Sequence, residues 1–195
     1  MNSNPKRGYY HLWISAPEHQ RFFRTSHEKA YFLSLLQDTL SPRRRLHSFS
    51  SIADILSVEV SLLAYSLTDI GIHLLVYTMR EAAIDELSQR LVMQYVEHLN
   101  ESDSFQELPF NGRFFYDHLA GPHEALNVSR EIHLLHRRWR TDRYSSIGFY
   151  LDDRRGEWMS LWRLSILYEN QPELYLRYLQ SGETETDQIF QYLYI

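Results

Sequence analysis

The chain has 195 residues, of which 44% are hydrophobic and 23% are charged, as is ordinary for one globular domain with a real core. It has no cysteine, which excludes a disulfide framework and a thiolate zinc site. Its net charge of −5 argues mildly against a nucleic-acid binder. No secretory leader and no membrane-spanning apolar run occurs, so we expect a cytoplasmic protein without a membrane partner.

The N-terminal quarter predicts a strand and a helix. Residues 9–15 mix aromatic and branched side chains in a short run, which is typical of a strand. The sequence from Thr25 to Glu28 has the form of a capping box. The helix that it opens is expected to end before Ser41-Pro42, because proline cannot continue it.

The central part predicts a hairpin between two helices. A short helix is expected at residues 52–56, and two strands follow at 58–66 and 72–78. The turn between them is 68–71, where a glycine suits a bend that needs positive φ. The clearest helix spans residues 81–99, with one apolar stripe.

The C-terminal part predicts one more strand and then only helices. The strand covers residues 112–119. A helix starts at Gly121-Pro122, since proline is tolerated in a first turn, and ends near Trp139. Short helical pieces are expected at 158–168, 172–180 and 184–194.

This order of elements predicts the fold class. Two strand–helix–strand crossovers surround a central hairpin, which indicates a ferredoxin-like α+β sandwich of the βαββαβ type. We assign it to residues 8–150, with a helical C-terminal extension at 151–195.

Five segments follow one another in an order and spacing that resemble a known family. They are residues 10–23, 63–76, 112–115, 129–134 and 144–146. They are similar to the opening strand and loop, the paired central strands, the following strand, the nucleophile helix and the next turn of the REP-associated tyrosine transposases. These enzymes are small single-tyrosine HUH transposases.

The resemblance implies a defined chemistry. In the family, two histidines separated by one hydrophobic residue point to the same face of a strand. With a polar residue from a helix they hold Mg or Mn against the scissile phosphate. A helical tyrosine then attacks and forms a 5′-phosphotyrosine link.

The matching positions are altered in this chain. Gly71 stands at the first histidine, while His73 keeps the second. Glu131 stands at the nucleophile, and Leu135-His136 replaces the family's asparagine–proline pair. The resemblance therefore implies a chain with no intact catalytic residue, no cofactor and His73 as a remnant of the metal site.

Other interpretations of the histidines stay open. His73 alone is more typical of a hydrogen-bonded core or groove histidine than of a ligand. His118 and His123 are a residual route to a metal site if they approach His73. Glu131, His133 and His136 would offer another, but a solvated helix face is favoured because no metal-binding signature is present.

The aromatic residues also allow two interpretations. Phe114, Phe115 and Tyr116 alternate across a strand, so one face belongs to the core. The other face is either ordinary surface or a stacking surface for bases. Tyr116, Tyr144 and Tyr150 are alternative nucleophiles, with packing as the default for all three.

Arginines supply the candidate nucleic-acid contacts. Residues 1–50 carry 8 Lys or Arg against 3 Asp or Glu, so basic charge is concentrated despite the acidic total. Such runs either neutralise phosphates or form solvated loops and helix faces. The predicted contacts are Arg21, Arg24, Arg43, Arg44, Arg45, Arg113, Arg137, Arg138, Arg140 and Arg143.

The leading hypothesis is an inactive, transposase-derived protein that binds single-stranded or hairpin DNA, or RNA. A divergent active nuclease or transposase with an unrecognised tyrosine is one alternative. A protein-interaction role without nucleic acid is the other, and the acidic balance of residues 51–100 and 151–195 favours it.

Overall fold

The part of the chain that the structure describes folds as an α+β protein around a four-stranded antiparallel sheet, which confirms the predicted α+β class. The computed structural model describes residues 7–17, 19–41, 52–101, 112–151 and 153–181. The arginine run at 43–45 and the predicted helix at 184–194 lie outside these residues.

The helices and strands occur in the predicted order. The strands are β1 (Gly8–Ser15), β2 (Val60–Leu67), β3 (Gly71–Thr78) and β4 (Phe115–Leu119). The helices are α1 (Ser26–Leu40), α2 (Ile52–Glu59), α3 (Ala82–Glu101), α4 (Pro122–Leu134), α5 (Ile147–Tyr150), α6 (Trp162–Ser165) and α7 (Pro172–Gln180), with 3-10 turns at Trp139–Thr141 and Ile166–Tyr168.

The strands lie in the order β2-β3-β1-β4, and every neighbouring pair is antiparallel. Trp13 of β1 stands opposite His73 of β3 on one side and Phe115 of β4 on the other. Side chains alternate between the two faces of a strand. The odd-numbered residues of β1 and their partners therefore share one face.

Helices α1 and α3 cover the other face, on which Tyr10, Leu12 and Ile14 are buried. The predicted cap starts α1: the Thr25 hydroxyl accepts from the Glu28 amide at 3.2 Å. The Glu28 carboxylate reaches back to the Arg24 amide at 2.8 Å. These bonds satisfy amides that have no partner within the helix.

A second core forms where α4 crosses the sheet, mainly over β2. Leu63 and Leu75 of the sheet pack there with Ile132 of α4. The helices after residue 160 complete this core with Leu164 and with three buried tyrosines, namely Tyr168, Tyr175 and Tyr178.

Several predicted bounds were wrong. The short helix α2 ends at Glu59 rather than at 56, so β2 starts at Val60 rather than at 58. β4 starts at Phe115 rather than at 112, because Gly112 has a φ of 72° that a strand does not accommodate. α4 ends at Leu134 rather than near Trp139, and the half-buried Trp139 packs on the second core from a 3-10 turn. The helical segment predicted at 158–168 begins only at Trp162, because Met159 instead forms a β-bridge with Leu62 at the edge of β2.

Candidate nucleic-acid interface

Part of the sheet remains uncovered on the face that carries α4. α4 buries Leu75 and Leu119 at one end of this face, whereas the side chains of His11 and His73 nearer the other end are only partly buried. Trp13 is only half-buried there, and Phe115 is 43% exposed. The predicted alternation at 114–116 is confirmed, since Phe114 is buried and Phe115 is exposed.

Four rings form a continuous row on this open face. We call His73, His11, Trp13 and Phe115 the aromatic row. The ring centroids are 5.3 Å apart for His73 and His11, 5.3 Å for His11 and Trp13, and 6.1 Å for Trp13 and Phe115. Neighbouring rings are tilted by 23° to 38°. Aromatic rings exposed on a sheet are one kind of surface on which planar bases stack.

The two histidines of the row bind each other. His11 Nε2 lies 3.1 Å from His73 Nδ1, so one ring donates to the other. Burial lowers the pKa of His73 to about 4, helped by the nearby charge of His11. Burial also lowers the pKa of His11, although Asp117 opposes that shift. Both rings are therefore neutral near pH 7. The predicted hydrogen bond of His73 is confirmed.

Gly71 begins β3, and a glycine is required here because the backbones of β1 and β3 approach each other closely. Its φ is not positive, so the turn explanation was wrong. A Cβ atom built there would overlap the Ile14 carbonyl oxygen and would lie 3.0 Å from Ser15 Cα. No histidine fits at this position while β1 and β3 remain paired.

Gly71→Ala is therefore expected to lower the free energy of unfolding by about 2 kcal/mol, as overpacking against backbone does. Urea denaturation of the variant measures this loss. Gly121→Ala is the matched control, because a Cβ atom at Gly121 meets nothing within 4 Å. Equal stability of the two variants would contradict the close-approach explanation.

The nucleophile position of the resembled family does not face the aromatic row. Glu131 is exposed on α4, and its negative charge contributes to the raised pKa of Tyr178. The predicted solvated helix face was wrong for His133, which is fully buried. Its Nδ1 lies 2.7 Å from the Tyr175 hydroxyl and its Nε2 2.7 Å from the Ser146 hydroxyl. Glu131 and His133 thus point apart.

The remaining candidate residues lie away from His73. His118 contacts Tyr10 on the opposite face of the sheet, with ring centroids 4.9 Å apart. Tyr150 is buried, and its hydroxyl donates to the Leu63 carbonyl at 2.9 Å. The Tyr144 hydroxyl donates to the Ser26 carbonyl at 2.8 Å. Within the described residues, no three His, Asp or Glu side chains are grouped so as to hold a metal ion.

Two arginine-bearing loops converge at one end of the sheet. Lys29 forms an ion pair with Asp69 at 2.5 Å. That hydrogen bond, with the charges of Arg21 and His136 nearby, lowers the pKa of Asp69. The loop after α4 therefore lies next to the loop after β1, although more than 100 residues separate them.

Tyr144 joins these loops. Arg143 donates to its hydroxyl at 2.6 Å, and the guanidinium lies 4.7 Å from its ring. Lys29 approaches the same ring at 5.5 Å. All the predicted contacts within the described residues are exposed, namely Arg21, Arg24, Arg113, Arg137, Arg138, Arg140 and Arg143.

Arg113 connects the basic side chains to the aromatic row. Its guanidinium lies 5.6 Å from the Phe115 ring. A cleft of about 190 Å³ separates these two residues from residues 14–17 at the end of β1. That end of β1 leads directly into the loop that carries Arg21. Exposed cations therefore flank the aromatic row at this end of the sheet.

The sequence pattern did not single out His11 or Trp13. Both belong to the first predicted strand, but their role depends on cross-strand register, which sets Trp13 between His73 and Phe115. The alternation of β1 would have placed them together on one face. It could not have shown which part of that face α4 leaves uncovered.

No helix of the described residues has the length and apolar character needed to cross a membrane. No protein-family model matches the chain, and no curated protein matches it.

Proposed function

We propose that this protein is a catalytically inactive, transposase-like protein that binds single-stranded or hairpin nucleic acid on the open face of its sheet. The strand order β2-β3-β1-β4, with all neighbours antiparallel, supports a ferredoxin-like sandwich. That arrangement agrees with the resemblance to the REP-associated tyrosine transposases.

The aromatic row is the observation that carries the proposal. A core ring is buried between layers, whereas these four rings adjoin one another on a face that α4 covers only in part, and Phe115 is 43% exposed. Stacking of a base on an aromatic ring contributes about 1–3 kcal/mol and tolerates any sequence. Neutral imidazole rings extend this surface.

The arginines bind the phosphates of the nucleic acid. The net charge of −5 concerns the whole chain, whereas association depends on the local field near the binding surface. Arg113 adjoins Phe115, and Arg21 and Arg143 lie near the same end of the sheet. A strand stacked on the row would lead its backbone past these cations.

The absence of cleavage is part of the proposal. Gly71 leaves no room for the first family histidine, and Glu131 cannot form the stable ester that tyrosine forms. Incubation of a labelled single strand with magnesium or manganese is expected to give neither cleavage nor a covalent protein–DNA adduct. An adduct would establish the divergent-enzyme alternative instead.

Fluorescence anisotropy with labelled hairpin and unstructured DNA across a salt series tests the binding. We expect binding that weakens steeply with salt, because each neutralised phosphate of a single strand contributes about −0.7 to the slope of log K against log salt. Absence of binding at low salt would contradict the proposal. A protein-interaction role would then become the better explanation.

A further inference from the structure

One carboxylate lies on the otherwise aromatic open face. Asp117 of β4 stands directly opposite His11 and two residues after Phe115, so it shares the face of the aromatic row. It is exposed. Within the part of the chain that the structure describes, its side chain forms no hydrogen bond and no ion pair. Its charge acts on His11, which is neutral near pH 7 and does not neutralise it.

We propose that Asp117 selects, among bases stacked on the aromatic row, those that present N–H donors on their pairing edge, with guanine preferred. This inference rests on the proposed function. It names Asp117 as the specificity-determining residue of a surface whose rings alone would accept any base.

The chemistry of the carboxylate sets the preference. An ionised carboxylate only accepts hydrogen bonds. Guanine offers two adjacent donors, N1–H and the N2 amino group, which match the two carboxylate oxygens. Cytosine and adenine offer one amino group each, and carboxylates are known to accept from the cytosine amino group. Thymine and uracil place carbonyl oxygens on both sides of a single N–H, and these oxygens repel a carboxylate.

The position of Asp117 suits an edge contact. Two residues along a strand are separated by about 6.7 Å, so a base stacked over Phe115 or Trp13 turns one edge towards Asp117. The rings then contact the face of the base, and the carboxylate contacts its edge. Arg113, on the other side of Phe115, is left for the phosphate.

A base without a suitable donor loses the hydrogen bond to Asp117 and also makes the free energy of binding less favourable. A base stacked beside Asp117 removes water from the carboxylate, and a desolvated acceptor without a donor is unfavourable. A site built around one polar group therefore rejects ligands that cannot satisfy it. The same negative charge repels the phosphate backbone of every strand, so its removal should strengthen the binding of strands that it cannot recognise.

The test measures anisotropy at low salt with three 12-nucleotide strands. One is thymine throughout, one has three central guanines, and one has inosine at those positions, which removes only the N2 amino groups. The intact protein is expected to bind the guanine strand about tenfold more tightly than the thymine strand, with the inosine strand in between. Asp117→Asn is expected to weaken guanine binding and to strengthen thymine binding.

Glu97→Gln is the matched control, because it removes one exposed carboxylate from α3, which covers the other face of the sheet. It is expected to leave the guanine preference unchanged. Equal binding of all three strands by the intact protein, or a preference that survives Asp117→Asn, would overturn the role of Asp117 and leave the proposed function standing. Failure to bind any strand would instead contradict the proposed function itself.

Discussion

Acidification from about pH 7 to pH 4 is expected to lower the free energy of unfolding by about 3 kcal/mol through His133 alone. Burial, together with the positive charge of Arg154, lowers the pKa of this fully buried imidazole to about 3. The ordinary value near 6.5 applies to the unfolded chain. Between these two values the unfolded state binds the extra proton, so stability is complete above about pH 6.5 and falls as the pH falls towards 3.

The contacts of His133 explain why the loss should be global. Its ring joins α4 to the Tyr175 hydroxyl of α7 and to the Ser146 hydroxyl. Ser146 in turn accepts from the Tyr65 amide of β2 at 2.8 Å. The Tyr175 hydroxyl also lies 2.9 Å from the Ser129 hydroxyl. Protonation therefore places a charge where helix α4, helix α7 and the sheet meet.

Urea denaturation at a series of pH values measures the loss, with His133→Gln as the comparison. Glutamine cannot titrate, so the variant starts less stable at neutral pH but should lose about 3 kcal/mol less on acidification. His11 and His73 have lowered pKa values in both proteins, and their contribution cancels in the difference. Parallel pH profiles of the two proteins would contradict the role assigned to His133.

Trp13→Ala is expected to weaken binding of an unstructured single strand by about tenfold to a hundredfold. Trp13 is the centre of the aromatic row, because it contacts both His11 and Phe115. Its removal takes away one stacking platform, worth about 1–3 kcal/mol, and interrupts the row. Trp13→Phe should restore much of the affinity, since it retains an aromatic face.

Anisotropy at fixed salt measures this effect, with thermal unfolding to verify that each variant is folded. Trp162→Ala is the matched control, because Trp162 is 59% exposed but lies on α6, outside the row. It should bind like the intact protein. Equal losses for Trp13→Ala and Trp162→Ala would contradict a specific stacking role for the row.

Much of the fold follows from local sequence signals. The cap at Thr25, the stop before Pro42 and the apolar stripe of α3 are local features, and the elements that they predict lie where expected. The bounds that failed depend on tertiary contacts. Met159 extends along the edge of β2, and Trp139 packs on the second core without belonging to α4.

The candidate site was predictable only in part. The arginine contacts were predicted from composition and spacing, and each of those arginines that lies within the described residues is exposed. The role proposed for Trp13 and His11 depends on their register with β3 and β4. His133 was assigned to solvent because a single helix pattern does not reveal that α7 covers that side of α4.

Photo-crosslinking tests the central claim most directly. A single strand that carries 5-iodouracil is bound at low salt and irradiated, and mass spectrometry locates the joined side chain, since this base reacts with aromatic rings stacked on it. We predict adducts on Trp13 or Phe115. Adducts confined to aromatic residues outside the aromatic row, such as Trp162, would contradict binding on the open face of the sheet.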